Sequence, residues 1–457
     1  MQNNTAKLFV SDEELKIFEL TKIGFDQTME DFLKEKKAIS LEFSRQLNLN
    51  FTVSGDETKP AIDYISDSIA KASGIAVRTP AKVQLLCLFA NLYRQHSIHP
   101  ELWTKIYRRH QKPIPVMNNP SGINWKTLAR LTDVLHELGY VDLVKGVFAR
   151  DGLNRPSKSS RVRATNNLIT VLENEFQWSL KNIGFHAAAE PITMKGRKQK
   201  GQAAPIIGYI DTPRSIADRK LLSAYNRFIQ KQEILCHDGF GKALPDLIFT
   251  TRVFSNGSWN EGGRLFGGHF QNMSKDVRLK ITINGQAVRE VDISSCHASM
   301  AFAEVGEDWF ANHNQDLYQF KEAANWPRHI IKTAFSIMLN VDNETSAIKA
   351  LVQEATRDLW AYSYEQIDRP KWYRNLIADM KSAYPAIAPN FCKARGMHYM
   401  WQEGEIALLV IKECLQQGIP VLTLHDSYIM PEQHTSFVTD VVKTAFRRVV
   451  GVNCVVR

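Results

Sequence analysis

The sequence predicts an α+β protein of several units, and three observations carry that prediction. Two strand-like segments, 279–291 and 419–430, each lead to an aspartate at a strand end, Asp292 and Asp426. A succession of helix, helix, helix, glycine and hairpin fills residues 75–170. The chain of 457 residues is 44% hydrophobic and 23% charged, the composition of an ordinary globular protein with about two to four domains. Its 57 Lys and Arg against 48 Asp and Glu leave a formal charge of +9, which suits an anionic partner such as nucleic acid.

Residues 1–74 form a polar, helical N-terminal region, with helical patches at 12–20 and 61–72 and loops at 54–56 and 73–74. The spacing of Val83, Leu86, Phe89, Ala90 and Tyr93 predicts a helix over 80–96, and a shorter helix is expected after Pro100. Leu128, Leu131, Leu135 and Leu138 place a third helix over 124–138, with Lys126, Thr127, Arg130 and Asp133 on its other face and Gly139 as its stop. Strands are expected over 140–148 and 161–171, joined by a basic tip at 149–158. This is the layout of a winged helix, which sets its third helix, here with Lys126 and Arg130, in the major groove and its wing on phosphates. A helical bundle followed by an unrelated hairpin gives the same order.

Residues 171–245 connect this unit to the rest. Two short strands at 192–194 and 206–210 flank Lys195, Arg197, Lys198 and Lys200, a cationic loop suited to phosphate contact or simply to solvent. A helix over 213–235 is entered by Asp211-Thr212-Pro213.

The six cysteines form no C-x-x-C pair, which argues against a zinc ribbon or redox motif, and Cys236-His237 reads as a surface pair. There is no basic-then-apolar leader at the first residues and no apolar run long enough to span a bilayer, so no membrane partner and a cytoplasmic setting are expected.

From about residue 246 four segments come in a meaningful order. The first, 262–273, holds glycines, Arg264, Gln271 and Asn272, residue types that suit close backbone approach and contact with phosphates and base edges. The second is a hairpin turning at Asn284-Gly285 and ending in Asp292. The third is a helix over 327–340 with Pro327 at its first position, which puts Arg328, Lys332 and Ser336 on one face; such spacing grips a triphosphate, or is a solvated charged face. The fourth is a helix over 404–416 followed by the His425-Asp426-Ser427 hairpin.

In this order the segments resemble the right-hand palm and fingers of family A DNA polymerases and phage-type single-subunit RNA polymerases, over residues 250–457. Gly263-Arg264-Leu265-Phe266, Val291-Asp292-Ile293-Ser294, Arg328 to Lys332 and His425-Asp426 carry the likeness. The resemblance implies a palm and fingers over 246–457, and makes 171–245 a thumb. It implies that Asp292, the Ile293 carbonyl and Asp426 hold two Mg²⁺ ions, with Mn²⁺ as a substitute. Arg328 and Lys332 would neutralise the β- and γ-phosphates, and His425 would support the primer terminus. Arg264, Gln271 and Asn272 would touch primer or template. Ser336, Asn340 and His297 fall at family nucleotide-site positions but depart from the pattern. The family has an aromatic residue, a Tyr and, in its DNA branch, a ribose-excluding Glu there. His-Asp-Ser replaces the His-Asp-Glu of DNA polymerases, and the short interval from Arg328 to Asp426 implies small fingers.

The expected function is therefore a template-directed nucleotidyltransferase. The leading form is a DNA polymerase with priming ability in replication of a mobile element. It would act on DNA primer-template and nucleoside triphosphates, with replication proteins as partners. The alternatives are an RNA polymerase or primase of the same fold, an inactive winged-helix initiator or regulator, and a nuclease using the same two carboxylates.

Overall fold

The computed structural model describes residues 41, 44–108, 114–146, 159–199, 203–237, 243–312, 316–319, 326–357 and 369–457. The helical patch expected at 12–20, the hairpin tip at 149–158 and Lys200 lie outside the described residues.

Among the described residues, β1 (Arg45–Gln46) and β2 (Phe51–Val53) come first, two strands inside the region expected to be helical, then α1 (Lys59–Ser73) and α2 (Thr79–Ile98). Both helices carry a proline in the first turn, where no backbone donor is lost. Helix α1 buries Ile62, Ile65 and Ile69 against α2 and ends on Gly74 in the left-handed conformation. The helix expected after Pro100 is instead β3 (Thr104–Ile106). Thr104 and Ile106 are buried while Lys105 is half-buried, the two-residue period of a strand with β-branched ends.

Helix α3 (Trp125–Glu137) is capped by the Asn124 side chain, which accepts from Lys126 N and Thr127 N at 3.1 Å. Leu128, Leu131 and Leu135 are buried, and Lys126 and Arg130 are exposed. Strands β4 (Val141–Val144) and β5 (Ser160–Ala164) follow, in a sheet ordered β1-β3-β5-β4. The returning strand ends at Ala164 rather than running to 171. Thr165 caps a short helix, Asn166–Thr170, through Leu168 N, so the hydroxyl starts a helix where a strand was expected. β6 (Ile183–Phe185) pairs with β2, and one core runs from Leu47 to Ile183.

Next come β7 (Ile192–Lys195) and β8 (Ile206–Ile207), which pair as expected around the cationic loop. Helix α4 (Pro213–Ile229) starts at a Thr212–Ser215 capping box and stops short of 235. Ile234 onward is β9 (Ile234–His237), because that run pairs with β10 (Ala243–Pro245) and β13 (Thr282–Ile283). Cys236 is 5% exposed, so it is no surface residue: its thiol points to Asp246 in the core. Strands β11 (Thr251–Ser255) and β12 (Ser258–Phe266) close the sheet β12-β11-β7-β8.

The C-terminal half is built on a six-stranded sheet ordered β10-β9-β13-β14-β16-β15. Strand β14 (Gln286–Asp292) leaves β13 through Asn284 and Gly285, at φ 52° and 74°, the tight hairpin turn the dipeptide predicts. Helices α5 (Cys296–Ala303), α6 (Arg328–Asn340), α7 (Glu344–Arg357), α8 (Arg369–Ala383) and α9 (Gly396–Gln416) follow. Pro327 is the residue before α6 rather than its first, and α9 begins at Gly396 rather than 404. The chain then forms β15 (Leu422–Leu424), β16 (Ser427–Pro431) and α10 (Thr435–Val450). One large core from Leu222 to Cys454 joins this sheet to α4 through α10. Among the described residues no helix is long and apolar enough to cross a membrane.

Candidate active site

The site grows from the pairing of β14 with β16. In that register Asp292 faces Ser427, and Ile293 N donates to the carbonyl of Asp426 at 3.1 Å. On its other edge Asp292 exchanges backbone hydrogen bonds with Arg457, at 2.9 and 3.0 Å. The first aspartate is thus fixed from both sides, and the second sits at the turn beside it. His425 takes φ 57° to make that turn, and its ring meets Phe266 edge-on at 5.8 Å. Asp292, Ile293, His425 and Asp426, expected at one site, lie at one end of neighbouring strands.

A third carboxylate joins them. Glu403, on α9 and 3% exposed, takes a charge-assisted bond from Arg264 Nε, and its Oε1 lies 3.1 Å from His297 Nε2. Arg264 Nη2 is 3.3 Å from the same imidazole nitrogen. Ligand atoms of Cys296, Glu403 and Asp426 lie within 4.8 Å of one another. Burial opposes the Glu403 charge, but His297 and Arg264 outweigh it and hold its carboxyl at about 2. Asp426 goes the other way: burial and then the Glu403 charge push it up to about 6, with Asp292 adding to the shift. The Cys296 thiol is pushed well above its usual range by burial and by the Glu403 and Asp426 charges, so it stays a neutral thiol. Burial and the nearby Arg264 lower the His425 pKa, and its Nδ1 is buried without a partner.

Helix α6 presents Arg328, Lys332, Ser336 and Asn340 to solvent and buries Ile330, Ile331, Ala334, Phe335, Met338 and Leu339. Arg328, Lys332 and Ser336 share the exposed face expected from their spacing, and Asn340 is exposed one turn further on. Arg328 is held by Asp316 in an ion pair and lies 5.3 Å from the centre of the Tyr318 ring. Tyr318 is itself 7% exposed, and burial first of all raises its pKa. The Asn340 amide bonds the carbonyl of Ser336 at 2.8 Å.

The residues read as nucleic-acid contacts divide. Arg264 is engaged by Glu403. The Gln271 amide binds Leu265 O, Thr423 O and Gly267 N at 3.1, 2.8 and 2.9 Å, tying its own segment to the His425–Asp426 hairpin. Asn272, Lys126, Arg130, Lys195, Arg197 and Lys198 are exposed.

Glu403, Cys296, Asp316 and Tyr318 were not found by sequence reasoning. A signal for Glu403 existed: it shares the helical face of Tyr399, Ile406, Ala407, Val410 and Cys414, all buried. A carboxylate on an apolar face is either paired or functional. The donor chemistry fits hard divalent cations. Asp292, Asp426 and the Ile293 carbonyl are oxygen donors, and burial followed by the Glu403 charge raises Asp426. The buried Tyr428 hydroxyl, near Cys296, Glu403 and Asp426, also has no hydrogen-bond partner.

No protein-family model and no curated protein matches the chain. Among solved structures, the POL domain of Pol1 from M. smegmatis, in complex with DNA primer-template and dNTP, aligns at 11% identity and a TM-score of 0.29. The alignment covers 67% of this chain and 60% of that one, a likeness too low to carry an assignment.

Proposed function

We propose that the protein is a template-directed nucleotidyltransferase: a DNA polymerase of family A type with priming ability, serving replication of a mobile element. The observation that carries this reading is the junction of Asp292 with Asp426 on paired strands. Asp292, Asp426 and the Ile293 carbonyl would hold Mg²⁺ or Mn²⁺. Such ions supply an activated 3′-hydroxyl and a charge-stabilised pyrophosphate.

The chain's own residues do the rest. Lys332 and Arg328 bind the triphosphate, Arg328 exchanging its Asp316 partner for phosphate oxygens. Neutral His425 offers a hydrogen bond to the primer terminus. The Glu403 carboxylate orients Arg264 and His297 at the rim of the site. Residues 75–170 act as a winged helix that reads duplex DNA through Lys126 and Arg130, whose exposure on α3 supports the role. Residues 171–245 serve as a thumb, with Lys195, Arg197 and Lys198 on phosphates. His297 and Ser336 favour a second reading, an RNA polymerase or primase of the same fold, because a ribose-excluding Glu and an aromatic residue are replaced there.

Primed and unprimed templates offered with dNTPs and NTPs side by side test both. The account expects metal-dependent incorporation of dNTPs, reduced by roughly a hundredfold or more in Asp292→Asn or Asp426→Asn. Incorporation of NTPs alone selects the second reading. Gel-shift binding of DNA that survives both substitutions, with no pyrophosphate release from the wild type, rejects catalysis.

A further inference from the structure

A second cleft, of about 430 Å³, opens at the seam between the two large cores. Its walls come from β1, α2 and the 267–272 segment, whose Gln271 side chain donates to Thr423 O at 2.8 Å. The polar groups it presents are unevenly satisfied. Arg94 is neutralised by Asp246 at 3.2 Å, both side chains being buried. Arg45 has no carboxylate partner among the described residues; its Nη2 donates to His269, 2.8 Å from Nε2. Burial and the charges of Arg45 and Arg94 keep that imidazole neutral. Gln95 is 4% exposed, and its carbonyl oxygen has no hydrogen-bond partner. A buried acceptor left open costs roughly the desolvation of a polar group unless a donor fills it.

We infer that this cleft binds a nucleoside phosphate: an anionic oxygen on Arg45 and a base N–H donor on the Gln95 carbonyl, with Asn272 at the rim. The volume lies at the small end of ligand sites, well beyond what one inorganic anion fills. A cation with no ion-paired carboxylate among the described residues, and a buried acceptor with no hydrogen-bond donor there, are complementary to the two ends of a nucleotide. That chemistry has two sources, a free mononucleotide or a nucleotide unit of a bound strand. The inference goes beyond the polymerase reading and does not need it.

Calorimetric titration of the full chain in EDTA tests it, with deoxynucleoside monophosphates, deoxynucleosides and inorganic phosphate as probes. A monophosphate binds one per chain, tighter than either the nucleoside or phosphate alone. Arg45→Gln weakens that binding by roughly tenfold or more, the scale of one lost charge-assisted hydrogen bond. Gln95→Leu weakens it too, and carries the test if thermal melting shows Arg45→Gln to be misfolded. Lys332→Ala and Asp426→Asn leave the binding in place, although Asp426→Asn abolishes extension. Competition by a 5′-phosphorylated oligonucleotide but not its 5′-hydroxyl twin identifies the strand as source; competition by neither identifies the free nucleotide. The inference is overturned by no monophosphate binding, by phosphate binding equally well, or by wild-type affinity in the properly folded variants.

Discussion

Glu403 is the residue on which the local electrostatics turn. Its carboxyl is held at about 2, below an unfolded value near 4.5, so its stabilisation is complete above that upper value. It is lost as the pH falls through the folded value. The contribution is on the order of 3 kcal/mol at neutral pH, and Glu403→Gln should remove the part of the acid limb lying between roughly pH 2 and 5. Urea unfolding across that range checks it: equal slopes in wild type and variant contradict the assignment. Asp292 and Asp426 were legible because an aspartate at the end of an apolar run stands out. Glu403 was marked only by its place on an apolar helical face; its partners Arg264 and His297, which give it a role, lie far from it along the chain. Asp316 was missed for the same reason: nothing local marks it as the partner of Arg328.

At the scale of elements, α9 and β12 are the pair that places Glu403 over the strands. Gly262 and Gly263, at φ 76° and 77°, put a bulge in β12, where the register against β11 shifts. A Cβ at Gly404 would lie 2.0 Å from the carbonyl oxygen of Gly263, so the helix rests directly on the bulge. The glycines were read as letting this backbone approach a partner closely; what Gly263 meets closely is the protein's own helix α9. Gly404→Ala should push the two apart and cost about 1–3 kcal/mol, the scale of overpacking, with a matching loss of extension. Thermal melting reads the first effect, and an unchanged melting temperature contradicts the packing account. Arg252, fully buried, reinforces the same contact, binding Glu405 at 2.7 Å and Gly263 O at 3.1 Å. Periodicity located α3 well, since Leu128, Leu131 and Leu135 make an apolar face of their own, whereas α2 is buried on nearly every side from Cys87 to Gln95. It failed after Pro100 and beyond Ala164, where a short strand and a hydroxyl cap depend on distant pairing or local capping rather than on period.

Across the whole molecule, two cores meet along a seam fastened by Arg94 and Asp246, and the acidic centre belongs to the C-terminal one. An α+β protein with Asp-bearing hairpins was legible because hairpin turns and strand ends are written locally. The seam was not, because its charges come from α2 and from the stretch between β10 and β11. The central claim is that Asp292 and Asp426 share a pair of divalent cations. Electron paramagnetic resonance of Mn²⁺ bound with a non-hydrolysable dNTP analogue tests it most directly. The account predicts two spin-coupled ions per chain, about 3.5–4 Å apart, and loss of the coupled signal in both Asp292→Asn and Asp426→Asn. An unchanged signal in both variants, or a single uncoupled ion in the wild type, would contradict it.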